Sequence, residues 1–244
     1  MIMDKQLFIF DIDNTLTESR TPMDAEMADL ICTLLKEKRV ALISGGTLDQ
    51  FQKQCLTSLS CVPCFKNLIL LPTTGALLYT WNGTSWVKRY EYSLSRQDRE
   101  SVYEGLSRVL GMSPEELASF IDDRGTQITY SGLGKNASPE EKKQWDPHQE
   151  KRRSIVEKLK HSIKKLHMAL GGTTSIDFTG YGIDKAFGVS KVLEYLSLDP
   201  HETLFVGDAL YKGGNDEPVK RLAVETRITG GPEETKQIIR SFLS

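Results

Sequence analysis

Residues 7–10, Leu-Phe-Ile-Phe, form an unbroken apolar run that gives way at once to Asp-Ile-Asp-Asn-Thr. A short run without polar alternation predicts a strand buried on both faces of a parallel sheet. From Met23 to Lys38, the apolar positions Met27, Leu30, Ile31, Leu34 and Leu35 recur at helical spacing. Asp24 and Glu26 stand near the start of that stretch and basic residues at its end, the arrangement a helix dipole favours. Val-Ala-Leu-Ile-Ser at 40–44, a helical stretch from Leu48 to Leu56, and Leu-Ile-Leu-Leu at 68–71 continue the series. Strand and helix taking turns predicts the α/β class with a doubly wound parallel sheet. The rhythm returns late, with a helix from Phe187 to Leu196, the strand Thr-Leu-Phe-Val-Gly, a short helix near Pro218, the segment Ala-Val-Glu-Thr-Arg-Ile, and a last helix from Pro232.

The middle follows another pattern. Residues 77–92 alternate and contain Asn82-Gly83, a hairpin signal. Helical and strand-like segments follow at 95–110, 115–121, 126–131, 139–169 and 174–179. The parallel-sheet rhythm is lost between residues 80 and 184, which predicts an inserted α+β cap domain over 81–185. The flanking pieces, 1–80 and 186–244, then form one discontinuous core domain.

Composition narrows the class. A formal net charge of -2 gives no global field that would favour nucleic acid or an acidic membrane surface. No apolar run approaches the roughly 18 residues of a spanning helix. The apolar stretch within residues 1–13 is too short for a signal peptide and is interrupted by acidic residues, which favours a cytoplasmic protein without a membrane partner. Cysteines stand at 32, 55, 61 and 64; Cys61 and Cys64 have CxxC spacing, but no second such pair follows and the histidines show no ligand spacing. They read as reduced structural thiols in a turn before 68–71 rather than as a zinc or redox motif.

The chemistry concentrates after the first strand. Ligands of open α/β sheets bind beyond the carboxyl ends of the strands, where Asp11 and Asp13 lie. Two apart on an extended segment, they point the same way, and such like charges need a cation or a shared proton. Taken alone they could be two turn aspartates. Asp208, however, ends the late strand, and Asp216 follows in Gly213-Gly214-Asn215-Asp216, whose glycines let the backbone fold back. If the two strands are neighbours, these carboxylates share one crevice. Oxygen donors without histidine or thiolate describe a hard-cation site, with magnesium suiting an attached phosphate. Ser44 and Thr47 flank Gly45-Gly46 and offer hydroxyl and backbone N–H donors to a phosphate. Lys185 can neutralise a nucleophile and transferring oxygens. Alone, the serine reads as a helix cap and the lysine as solvated; they count as members of the set.

That set resembles the four motifs of the haloacid dehalogenase superfamily. Arg124-Gly125, the segment from Tyr130 to Lys135, the segment from Ala137 to Lys142, Gly171-Gly172, Ser175-Ile176-Asp177 and the segment from Gly182 to Lys185 are similar to the eukaryotic-type phosphomannomutases, which carry a type IIB cap. The likeness runs from about residue 7 to the C-terminus and is weakest between about 50 and 115. It implies a magnesium-dependent phosphotransferase acting on hexose phosphates through an aspartyl-phosphate intermediate. Asp11 would be the nucleophile, Asp13 the general acid and base, and Lys185 their counter-charge. Magnesium would be held by the Asp11 carboxylate, the Asp13 carbonyl and Asp208, with Asn215 or Asp216 nearby. Arg20, Arg124, Lys135, Lys142, Ser175 and Asp177 match the positions that hold the sugar and its distal phosphate. The resemblance further implies a hexose bisphosphate activator and a homodimer formed through the cap.

Two departures and three decoys qualify it. Lys135 and Lys142 stand where the mutases usually have arginine, which grips phosphate with a bidentate fork that lysine lacks. Asn14 replaces a common glycine but tolerates unusual backbone angles. Gly132-Leu133-Gly134-Lys135-Asn136-Ala137 fits a loose dinucleotide pattern without a βαβ unit, and the basic stretch from Lys151 to Lys165 reads as a solvated helix face. Trp81, Trp86 and Trp145 read as packing or interface residues. A sugar-phosphate phosphatase of the same fold stays open as a second reading. A silent sugar-phosphate binding module is the third, and it has no need of both Asp11 and Asp13.

Overall fold

The computed structural model describes residues 5–134 and 137–243. In chain order the elements are β1 (Leu7–Asp11), α1 (Ala25–Glu37), β2 (Arg39–Ile43), α2 (Leu48–Gln54), β3 (Leu68–Leu71), β4 (Leu77–Trp81) and β5 (Trp86–Glu91). Next come α3 (Arg96–Leu110), α4 (Pro114–Ala118), β6 (Ile121–Asp123), β7 (Gln127–Ser131), α5 (Pro139–Trp145), α6 (Glu150–Leu159), β8 (Leu166–Gly171) and β9 (Ser175–Gly180). The chain closes with α7 (Lys185–Leu196), β10 (Thr203–Gly207), β11 (Glu225–Ile228) and α8 (Pro232–Leu243). No described helix is long and apolar enough to cross a membrane. Two compact units result, one holding the chain up to Glu91 and again from Asp184, the other spanning Tyr92–Ile183.

The first unit is built on a seven-stranded sheet of order β11-β10-β1-β2-β3-β4-β5. β1 lies at its centre, paired in parallel with β2 on one side and β10 on the other. Its side chains alternate between two apolar layers: Phe8 and Phe10 join the cluster under α1 and α8, while Leu7 and Ile9 join the one under α7. Both layers are buried, which explains an apolar run without polar alternation. α1 starts where Asp24 Oδ1 accepts the Met27 N–H at 2.8 Å.

The hairpin at 77–91 belongs to this unit, which moves the expected boundary at 80/81. β4 pairs antiparallel with β3, through Ile69↔Thr80 and Leu70↔Tyr79, and β5 pairs with β4. The hairpin covers the open edge of β3. Trp81 and Trp86 stand 5.8 and 5.7 Å from the Phe65 ring, so this alternating segment packs onto the same core that α1 covers. At the other end, Lys185 is the first residue of α7 and so belongs to the first unit.

The cysteines also differ from expectation. Cys32 and Cys61 form a disulfide, while Cys55 and Cys64 are free. Cys32 sits on the buried face of α1, which packs against the turn at Val62–Asn67 and brings the two Cα atoms to 5.7 Å. That separation lies within the range a disulfide needs.

The second unit carries a four-stranded antiparallel sheet of order β6-β7-β9-β8. Ile128, Tyr130, Ile176 and Phe178 form its core with α3 and α6 residues such as Val102, Leu106 and Leu159. Alternation turns Thr129, Ser131, Ser175 and Asp177 to the opposite face. The basic stretch on α6 is not solvated throughout, because the Arg152 side chain is 2% exposed and pairs with Asp146 at 2.9 Å. Its Nη1 donates to the carbonyls of Gly171, Gly172 and Ser175, tying down the β8–β9 turn.

The disulfide spans 29 residues of sequence, and Cys61→Ser should therefore lower unfolding stability by about 3 kcal/mol. Urea unfolding of the oxidised protein measures this. Added dithiothreitol should bring the parent chain down to the variant.

Candidate active site

The carboxyl ends of β1 and β10 lie side by side because Phe10 pairs with Val206 in parallel register. Asp11 ends β1 and Asp208 follows β10 by one residue. The loop after Asp208 returns through Gly214, where a Cβ would lie 1.9 Å from the Ala209 carbonyl oxygen. Only glycine allows so close a return, and it brings Asp216 back beneath the strand end. Among the described residues, Asp11, Asp208 and Asp216 each offer a carboxylate oxygen, all within 4.8 Å of one another.

Lys185 holds this acidic group together. Its Nζ donates to Asp11 Oδ1 at 2.6 Å and to Asp216 Oδ1 at 2.5 Å, with all three side chains buried. Asp184 caps α7 by accepting the Phe187 N–H at 2.9 Å, fixing where Lys185 enters. Burial pushes the Asp11 carboxyl well above the usual carboxylate range; Lys185 opposes this, and the charges of Asp216 and Asp208 add to it. Asp208 is raised as well, first by burial and then by Asp216, against Lys185 and a hydrogen bond from Asn14. Burial alone would lower the Lys185 ammonium, but the two carboxylates outweigh it and raise its pKa.

The oxygen atoms fit a divalent cation. Asp216 is already engaged through both oxygens, since Oδ2 accepts the Ala209 N–H at 3.0 Å. Asn215 Oδ1, by contrast, is buried without a hydrogen-bond partner among the described residues. An orphan buried acceptor in the loop that carries Asp208 and Asp216 suits a hard cation. Asp11 and Asp208 are the other carboxylates of the group, while Asp216 holds Lys185.

Asp13 is half-buried in the turn after β1. Its Oδ1 accepts the backbone N–H of Arg20 at 2.8 Å and the amide Nε2 of Gln54 at 3.1 Å. Arg20 reaches it with a left-handed backbone, φ 62°, and its side chain is exposed. Gln54 had no sequence signal beyond being a polar residue on a helix whose other buried side chain is Phe51.

After β2, Ser44 Oγ accepts the Gly46 N–H at 3.1 Å, which leaves its hydroxyl hydrogen to donate. Thr47 caps α2: its N–H donates to Gln50 Oε1 at 2.7 Å, and its hydroxyl accepts the Gln50 N–H at 3.4 Å. This capping box engages Thr47 and leaves Ser44 with Gly45 and Gly46 as the phosphate-binding candidates.

In the second unit, Asp177 Oδ1 accepts the Thr129 hydroxyl at 2.7 Å and Ser175 Oγ meets Ser131 Oγ at 3.3 Å. A Cβ on Gly171 would lie 2.6 Å from Asp177 Oδ2, so that glycine makes room for the carboxylate. Arg124 pairs with Asp122 at 2.8 Å. Lys142 is half-buried in the last turn of α5, and Lys135 lies outside the described residues. Sequence reasoning missed Arg152 and Asp146 because a buried ion pair looks like any other charges on a helical stretch.

Comparison with known proteins finds relatives in sequence and in fold. A family model described as eukaryotic phosphomannomutase matches residues 108–244. A phosphomannomutase from Schizosaccharomyces pombe is 27% identical over 225 residues, covering 87% of this chain and 84% of the relative. An IMP-nucleotidase from Plasmodium falciparum, in an N-terminally truncated form, shares the fold at TM-score 0.75 and 18% identity, over 98% of this chain and 70% of the other. A haloacid dehalogenase-like hydrolase from Bacteroides thetaiotaomicron superposes at TM-score 0.64 and 16% identity, over 97% of this chain and 99% of the other.

Lys185→Met leaves Asp11 and Asp216 without their counter-charge and should cost the metal-free protein about 3–5 kcal/mol in urea unfolding. Asp11 titrates higher in the folded state than in the unfolded chain, so stability falls as pH rises through that window. Without the lysine that pKa climbs further, and the loss should be larger near about pH 8 than near about pH 5. A variant equally stable at both would contradict the bridge.

Proposed function

The chain belongs to the eukaryotic phosphomannomutase family, and on that premise we propose that it interconverts mannose 6-phosphate and mannose 1-phosphate through a phosphorylated Asp11. The observation that carries the reading is the buried Asp11–Lys185 pair at 2.6 Å beside Asp208, in a haloacid dehalogenase-like core. A carboxylate is a weak nucleophile, and Lys185 supports its attack by favouring the ionised form of Asp11 against the effect of burial. Asp11 forms a bond to phosphorus as the phosphorus–oxygen bond to the sugar breaks, and the departing oxygen takes the proton of Asp13. In the return step Asp13 removes a proton from the accepting hydroxyl, which attacks phosphorus and frees Asp11. A hexose bisphosphate primes the cycle.

Magnesium is the cation we assign, held by Asp11, Asp208, Asn215 and the Asp13 carbonyl. When bound it supplies charge neutralisation for the transferring phosphoryl oxygens. Ser44, Gly45 and Gly46 hold the transferring phosphate, and Thr47 contributes through α2, which it caps. Arg20, Arg124, Lys135 and Lys142 take the distal phosphate, while Ser175 and Asp177 accept and orient the sugar hydroxyls. Arg124 is shared with Asp122, so its grip on phosphate competes with that pair. We further assign a homodimer formed by the second unit and a cytosolic location.

Two outcomes test this. With mannose 1-phosphate, magnesium and a hexose bisphosphate, the protein should form mannose 6-phosphate faster than free phosphate; EDTA or Asp11→Asn should abolish both. Rapid phosphate release without isomer would make it a phosphatase. Asp177→Asn should lower kcat/KM by about ten- to a hundred-fold, mostly through KM, as expected for a lost hydrogen bond to a charged group.

A further inference from the structure

We propose that Gln54 is a positioning residue for Asp13, selecting which of its two oxygens carries the proton that moves during phosphoryl transfer; this rests on the acid–base role assigned to Asp13 above. Gln54 is the last residue of α2 and is 7% exposed. A buried amide must find partners, and its Nε2 donates to Asp13 Oδ1 at 3.1 Å. The Arg20 N–H donates to the same oxygen at 2.8 Å. Oδ1 therefore receives two protein donors. A carboxylic acid so held carries its own hydrogen on the other oxygen, because a hydrogen on Oδ1 would confront N–H groups already pointing at it. Asp13 Oδ2 is thereby made the oxygen that gives and takes the proton, in both directions of the reaction.

The surroundings fix Gln54 for this task. Its backbone carbonyl accepts the Met23 N–H at 2.7 Å, and the Ser58 hydroxyl donates to the Met23 carbonyl at 2.9 Å. These bonds staple the end of α2 to the segment that follows Arg20. Phe51 and Cys55 on either side are fully buried. The amide thus reaches Asp13 from a rigid element rather than from a loop. Glutamine suits the role because its amide donates whether Asp13 is ionised or protonated, so the support persists through both half-reactions.

The test uses Gln54→Met, which keeps length and removes the donor, assayed as the isomerisation described above. kcat should fall by about ten- to a hundred-fold while KM changes less than about three-fold, the signature of a group that acts in the transition state alone. In an Asp13→Asn background the same substitution should cause little further loss, since the two act as a unit. Gln54→Ala, which leaves room for water, provides the same comparison should the methionine variant fold poorly. Wild-type kcat in both variants, or an equal loss with and without Asp13, would overturn the inference. Full activity of Asp13→Asn alone would instead sink the acid–base reading on which it rests, so the two failures are told apart.

Discussion

Three carboxylates gather at the ends of two neighbouring strands, and a single buried ammonium makes that possible. Like charges within a few ångströms, cut off from water, repel strongly unless one is protonated or a cation intervenes. Lys185 bonds to two of the three and is itself 1% exposed, so the group exists as a bridged set rather than as separate acids. Removing the lysine leaves the carboxylates with their mutual repulsion and an uncompensated desolvation cost. The lysine can be there because α7 begins at it and seats closely on the sheet. A Cβ on Gly188 would lie 2.9 Å from the Gly75 Cα, so two glycines allow that helix to approach. Gly75 also has φ +83°, which disfavours other residues.

The same bridge divides labour among the acids. Asp216 spends both oxygens on Lys185 and the Ala209 N–H, and so acts as an anchor. Asn215, one residue earlier, presents an unpartnered buried oxygen. Asp11, Asp208 and Asp216 bring carboxylate oxygens within 4.8 Å of one another. A cation there would supply the remaining neutralisation that the raised titration of Asp11 and Asp208 calls for.

The second unit solves a different problem with a sheet of two characters. Its apolar face is covered by helices, and its polar face lines up Thr129, Ser131, Ser175 and Asp177 by strand register. Asp177 and Ser175 are held by Thr129 and Ser131, and the turn that precedes them is tied down by buried Arg152. These polar side chains are thus fixed within the unit itself, which lowers the ordering cost of any ligand bound there.

The amino-acid sequence alone was enough to place the parallel core, because continuous apolar runs at 7–10, 40–44 and 68–71 separated by a helical period admit few other folds. It also marked Asp11, Asp13, Asp208 and Lys185 as chemistry, since they follow strand ends or re-enter the core in a fixed order. What it left open were pairings that depend on contact across long separations. Whether hairpin 77–91 joins the core sheet was decided by the free edge of β3 and the Phe65 ring. The partner of Cys61 was decided by the approach of α1, not by the nearer Cys64. The partners of Gln54, Arg152 and Thr47 were decided by which donors and acceptors are packed together. Local pattern reports which face of an element is apolar; hydrogen-bond partners hundreds of atoms apart along the chain are chosen only when the elements pack and water is excluded.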